Sequence, residues 1–110
     1  MADYVQVQTT LERRADAERL AKALVERRLA ACVQILGPIQ SIYRWKGGLE
    51  TAEEWLCLIK TRRDFYPRVE QAILELHPYE VPEIVVLPIT TGSKAYLAWL
   101  EDQLEGGNTA

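Results

Sequence analysis

The stretch Leu76-His77-Pro78-Tyr79-Glu80-Val81-Pro82-Glu83-Ile84 holds the chain's only histidine, two of its five prolines and two carboxylates. An imidazole flanked by Glu80 and Glu83 offers ligand types that suit a divalent ion such as Cu²⁺ or Zn²⁺. No second ligand stands two or four residues from His77, so a tetrahedral site would have to draw ligands from several subunits. Lys60, with Tyr43, Trp45, Tyr79 and Glu80, suggests a different chemistry. Aromatic walls with one fixed cation and one carboxylate suit a small polar or anionic ligand. Cys32 and His77 could form a nucleophile pair, but Cys32 lies in the apolar run Ala30-Ala31-Cys32-Val33, where its thiolate is disfavoured. No Gly-rich phosphate loop, CxxC, HExxH or spaced Ser/His motif is present, so catalysis is not expected and no cofactor is required.

The elements that must position these groups follow from pattern. Pro78 and Pro82 fix their own φ and push His77 and Val81 toward extended backbone, so the stretch ends a helix and forms a stiff connector. Its plainest role is a helix stop with solvated polar groups. On the N-terminal side, Asp64 is expected to cap a helix with Phe65, Val69, Ala72, Ile73 and Leu76 inward and Pro67 in its first turn. On the C-terminal side, Ile84-Val85-Val86-Leu87-Pro88-Ile89 is a nearly continuous apolar run that reads as a fourth strand, with Pro88 at its edge or end. Ser93 then caps a last helix, Lys94 to Leu104, with Tyr96, Leu97, Trp99 and Leu100 inward and Gly106-Gly107 as its stop.

Earlier in the chain, Asp3 to Thr9 alternates, with Val5 and Val7 on one face and Tyr4, Gln6 and Gln8 on the other, as in a strand covered on one side. From about Glu12 to Leu29, Ala17, Leu20, Ala21, Leu24 and Val25 recur at helical spacing. Ala31 to Lys46 is rich in β-branched and aromatic residues and is broken at Gly37-Pro38, which predicts a long strand with a bend. A turn is expected over Lys46-Gly47-Gly48-Leu49-Glu50, then a strand from Glu53 to Thr61. The order βαββαβ plus a helix is that of the split βαβ, ferredoxin-like α+β plan.

A turn centred near Gly48 sets Cys57 opposite about Gln40, roughly 26 Å from Cys32 at ~3.3 Å per residue, which excludes a disulfide in this hairpin. A strand of about 16 residues spans roughly 50 Å, whereas a domain of about 100 residues has a radius of gyration near 13 Å, so the hairpin should project. Tyr43, Trp45, Ile42, Leu49 and Trp55 on such an arm predict an oligomer that covers them, and interface packing is the plainer role of Tyr43 and Trp45.

At 110 residues the chain makes one domain, residues 1–110, and its 48% hydrophobic and 26% charged residues are ordinary for a soluble globular protein. A net charge of −3 argues against nucleic-acid and membrane surfaces, which need a clustered cationic face. Neither a signal peptide nor an apolar stretch near the roughly 20 residues of a membrane span is visible, so a cytoplasmic location with reduced Cys32 and Cys57 is expected.

Ala30-Ala31-Cys32-Val33, Ser41-Ile42-Tyr43-Arg44-Trp45-Lys46-Gly47, Leu58-Ile59-Lys60-Thr61, the connector from Leu76 to Ile84, and Tyr96-Leu97-Ala98-Trp99-Leu100 together resemble the successive signatures of the CutA divalent-cation tolerance proteins. The resemblance implies a ferredoxin-like protomer in an interlocked homotrimer, similar to the PII signalling proteins and linked to tolerance of copper and other divalent metals. It implies an inter-subunit cleft lined by Cys32, Ser41, Tyr43, Trp45, Lys60, Tyr79 and Glu80, with His77 as the metal residue. The family's proposed copper ligands are a cysteine near the end of the first strand and two adjacent histidines before Pro-Tyr. Here Gln8 and Thr9 occupy the first region and Leu76 precedes His77, so only His77 of that set remains and weak metal binding is the expectation. Gln34 also stands where the family often has asparagine. The other function compatible with this architecture is a module that senses a small ligand or docks a protein partner.

Overall fold

The computed structural model describes residues 3–107. Four strands, β1 (Tyr4–Leu11), β2 (Cys32–Trp45), β3 (Gly48–Arg62) and β4 (Val85–Ile89), alternate with α1 (Arg14–Glu26) and α2 (Tyr66–Leu76), and α3 (Lys94–Gln103) follows. The sheet is antiparallel throughout, in the order β2-β3-β1-β4. Its covered face follows from the period of two: Val5, Val7, Thr9 and Leu11 of β1 sit beside Cys57, Ile59 and Thr61 of β3, all buried. Ala17, Leu20, Ala21 and Leu24 of α1 and Val69, Ala72 and Ile73 of α2 close the core over them. Val25, expected on the α1 stripe, is exposed at the edge of that stripe.

The β2–β3 pair differs from its expected register. Trp45 lies opposite Gly48, so the turn is the two residues Lys46-Gly47, both at positive φ (49° and 81°), the pattern of a type I′ hairpin. Cys57 consequently faces Ile35, not Gln40. The predicted separation of the cysteines was therefore too large, and the thiols stay unpaired for another reason. Cys57 shares the covered face with Ile59, whereas Cys32 is the neighbour of Lys60 on the opposite face.

The predicted bend is present as a register shift between Leu36 and Ile39, at Gly37-Pro38. Gly37 is required by close approach, because a Cβ there would lie 2.5 Å from Cε3 of the Trp55 indole. Gly37→Ala is therefore expected to cost about 1–3 kcal/mol through displacement of Trp55, read as a lowered urea midpoint with an unchanged slope. Beyond the shift, β3 residues Gly48–Glu54 pair with β2 alone, because the β1–β3 ladder ends at Leu11 and Trp55. The molecule is accordingly elongated, 48 × 25 × 23 Å.

Two further expectations are corrected. Asp64 does not cap α2: a 3₁₀ turn, Arg63–Phe65, leads into the helix, and the Asp64 carboxylate instead takes both arms of the Arg62 guanidinium at 2.6 and 2.8 Å. The fourth strand is present as β4 at the sheet edge, a position that tolerates Pro88, and Val85, Val86 and Leu87 are exposed there. In α3 the Ser93 hydroxyl does accept from the Tyr96 amide, but only Leu100 is fully buried, and Tyr96 and Trp99 remain 40% and 43% exposed.

Candidate functional site

His77 is the C-cap of α2, where the i→i−4 bond of its amide to the Ile73 carbonyl closes the helix and Pro78 forbids continuation. Its ring turns inward and is buried. The Nε2–H donates to the Thr10 carbonyl at 2.8 Å, because a carbonyl can only accept. Nδ1 then accepts the backbone N–H of Tyr79 at 3.1 Å. The ring is thereby a neutral imidazole of fixed tautomer, with the Tyr79 ring tilted against it at a centroid distance of 4.7 Å. Tyr79 in turn donates its hydroxyl to the Glu54 carboxylate at 2.7 Å. Glu54 is buried at a polar position within β3, and neither it nor Thr10 stands out in sequence. Burial first, and then the Glu54 bond, push the Tyr79 phenol well above its ordinary value.

Burial, as the largest influence, lowers the His77 pKa from the usual imidazole value near 6.5, against opposing pulls from the Thr10 bond and from Glu54 and Asp16. The unfolded chain therefore binds more protons than the folded one between the lowered folded value and about 6.5. Stability contributed by this residue should fall as pH drops through that window. The expected observation is a urea midpoint that declines between pH 7.5 and 5 more steeply for the native chain than for His77→Gln, which has no such proton to take up.

A second cluster lies on the uncovered sheet face. Cys32 and Lys60 are cross-strand partners, and the Lys60 ammonium donates to the Gln34 side-chain oxygen at 2.5 Å. The Tyr96 hydroxyl of α3 approaches Cys32, and burial followed by the thiol's influence raises the Tyr96 pKa. Tyr96 is the residue that sequence reasoning did not assign to this pocket, because its place in the apolar pattern of α3 put it on the inward stripe. Cys57, beneath the sheet, is a different thiol: burial pushes it up to about 11, which marks a packing residue.

The third cluster is on the hairpin beyond the bend. Ser41, Tyr43 and Trp45 occupy alternate positions of β2 and share one face, with Tyr43 and Trp45 exposed. Ser41 lies nine residues beyond Cys32, roughly 30 Å at ~3.3 Å per residue. The ladder likewise sets Thr10, the anchor of His77, four positions from Gln6, which neighbours Lys60, or roughly 13 Å. One chain thus divides the sequence-predicted set into three groups: Cys32 with Lys60, Ser41 with Tyr43 and Trp45, and His77 with Tyr79. Glu80 follows them on the connector, exposed. His77 and Cys32 do not form a nucleophile pair, since both ring nitrogens bond elsewhere.

The profile of the CutA1 divalent ion tolerance proteins matches residues 5–103. The chain belongs to this family. The divalent-cation tolerance protein CutA of Thermus thermophilus is 50% identical over 86 residues, 78% of this chain and 84% of the relative. The chloroplastic protein CutA of Arabidopsis thaliana is 40% identical over 96 residues, 87% of this chain and 53% of the relative. This chain also spans only 50% of the mouse protein CutA. The solved structure of the Thermus thermophilus CutA1 superposes with a TM-score of 0.87 at 44% identity, covering 96% of this chain and 99% of that one. CutA1 structures thus share the four-stranded antiparallel sheet and its helices. Among the described residues no helix is long and apolar enough to cross a membrane.

The divalent ion in the family's description can be tested against the residues present. No three His, Cys, Asp or Glu side chains converge among the described residues, and the one imidazole has a proton donor on its lone pair. Within one chain the residues around His77 do not fit a metal.

Proposed function

We propose that this CutA-family chain is a non-catalytic binding subunit, that three copies assemble in a PII-like homotrimer, and that its clefts take a small anionic ligand. The observation that carries this reading is the Lys60 ammonium, held by Gln34 on the uncovered face beside Cys32 and Tyr96. A cation held in place on an exposed face is a recognition group for a carboxylate or phosphate ester. The aromatic residues that would wall such a cleft, Tyr43 and Trp45, lie too far along β2 to reach Lys60 of their own chain, so a neighbouring copy must supply them. Exposed apolar side chains on the arm and on β4 support that assembly. Two unpaired thiols on opposite sheet faces suit a reducing compartment, and the cytoplasm is the location we assign.

A thermal-shift screen of small carboxylates and phosphate esters on metal-free protein tests the reading. A stabilising hit that disappears in Lys60→Ala is expected. A blank screen, or hits indifferent to Lys60, would count against it.

A second reading rests on the name of the Thermus relative, divalent-cation tolerance protein. In this reading the trimer takes Cu²⁺ or Zn²⁺ weakly, through the exposed carboxylates Glu80 and Glu83 at the clefts. Native mass spectrometry during a metal titration reports ion stoichiometry and chain number together. Saturable uptake that is lost in Glu80→Gln with Glu83→Gln favours this second reading.

A further inference from the structure

We infer that His77 in this chain is a positioning strut and not a metal ligand: its two ring nitrogens join the end of β1 to the connector and so seat the Tyr79 hydroxyl on the buried Glu54 carboxylate. The assignment is independent of what the clefts bind.

One half of the geometry, by itself, is compatible with metal. A metal-bound histidine usually donates its other ring N–H to a carbonyl or carboxylate, and Nε2–H to the Thr10 carbonyl at 2.8 Å is such a bond. The metal would then need the lone pair on Nδ1. That lone pair points at the Tyr79 amide at 3.1 Å, a donor fixed two residues along a proline-stiffened backbone. The Tyr79 ring also lies against the imidazole, tilted, with 4.7 Å between centroids. An ion entering there has to expel the amide, strand its N–H in a partly buried site and disturb the backbone that carries the phenol to Glu54. The alternative, metal on Nε2, strands the Thr10 carbonyl instead.

The strut also explains why a histidine is needed at a helix end. The amide two residues on, left free by Pro78, requires a side-chain acceptor, much as Asn or Asp supplies one in a turn. At the same time the Thr10 carbonyl, at the far end of β1, requires a donor. Imidazole provides both at once. With the connector so tied, Tyr79 reaches Glu54 across 25 residues of sequence, and the buried carboxylate gains its hydrogen-bond donor.

His77 is the only histidine, which makes the test direct on untagged protein. Cu²⁺ is added to the full chain and pulsed EPR is recorded for the remote ring nitrogen that betrays imidazole ligation. The expected result is either no bound Cu²⁺ or a bound ion without that signature, the same in His77→Asn. An imidazole signature that vanishes in His77→Asn overturns the inference. The positioning role has its own readout in urea unfolding. His77→Asn retains an acceptor for the Tyr79 amide and should recover part of the midpoint lost in His77→Ala. Tyr79→Phe should lower the midpoint less than half as much in a His77→Leu background, which fills the site but offers no acceptor to the Tyr79 amide, as in the native one. Equal effects in both backgrounds would show that His77 does not place Tyr79. Leucine comes close to the imidazole in volume and phenylalanine to the phenol, so the comparison does not depend on His77→Ala.

Discussion

Leu100→Ala is expected to lower the unfolding free energy by about 2–5 kcal/mol, the range for removing a buried leucine from a packed core. Leu100 is fully buried, and with Leu104 just past the helix it is what α3 contributes to the core. The other ties of the helix are polar. The Glu101 carboxylate accepts from the Tyr4 hydroxyl at 2.8 Å and pairs with Arg62, while Arg28 donates to the Gln103 and Asp102 carbonyls at 2.8 and 2.6 Å. The Arg62–Glu101 pair is partly exposed, so solvent screens it and Glu101→Gln should cost no more than about 1 kcal/mol. Burial therefore dominates. Leu100 belongs to the same core cluster as Val5, Val7, Cys57 and Ile59 of the paired strands β1 and β3, whose ladder limits how far a cavity there can collapse. The urea midpoints of the two variants decide the matter. A loss below about 1 kcal/mol for Leu100→Ala would mean that α3 is not anchored by this side chain.

The same helix marks the boundary of what was legible in the sequence. Val5 and Val7 alternating with Tyr4, Gln6 and Gln8 revealed the covered and uncovered faces, because a period of two has only one geometric meaning. Ala17, Leu20, Ala21 and Leu24 revealed α1 equally well. The apolar pattern of α3, by contrast, predicted an inward stripe of Tyr96, Leu97, Trp99 and Leu100, and a single chain offers no surface for most of it. Pattern records that a side chain prefers burial, but not what does the burying. The hairpin register failed for a different reason. Two adjacent glycines suggested a wide turn, whereas Lys46 takes the left-handed conformation beside Gly47 and leaves Gly48 to pair with Trp45. Asp64 was lost as a cap to Arg62, two residues before it, whose fork offers two charge-assisted bonds. His77 was conspicuous from composition alone. Its bonding was not, since Thr10 lies 67 residues away and the partner group is a backbone carbonyl that any residue would have supplied.

Charging the hairpin tip should produce the largest change in the molecule's state. Ile42 and Leu49 lie on one face of the arm, flanking the Arg44–Leu49 and Ile42–Thr51 pairs, and are 65% and 72% exposed in the single chain. Tyr43 and Trp45 occupy the other face and are also exposed. No helix covers either face there, because β1 ends at Leu11 and the sheet beyond Trp55 is two strands wide. An isolated two-stranded ribbon is marginal in water, so its order must be supported by contacts along both faces. Burying a large aliphatic side chain contributes about 1.5–3 kcal/mol, and in a symmetric trimer each such contact occurs three times. Ile42→Lys with Leu49→Lys removes those contributions and places two ammonium groups per chain where water is excluded, which costs more than the lost burial unless each finds a partner. The native protein is expected to scatter light with the mass of three chains at micromolar concentration, and the double variant with the mass of one. Because neither side chain belongs to the core, the single chain should keep its helical dichroism and a cooperative urea transition, while the strand signal of the unsupported arm weakens. A native mass of one chain would sink the trimer. A double variant that keeps the mass of three would place the contacts elsewhere, with the exposed edge strand β4 and the Tyr96–Trp99 face of α3 as the remaining surfaces to carry them.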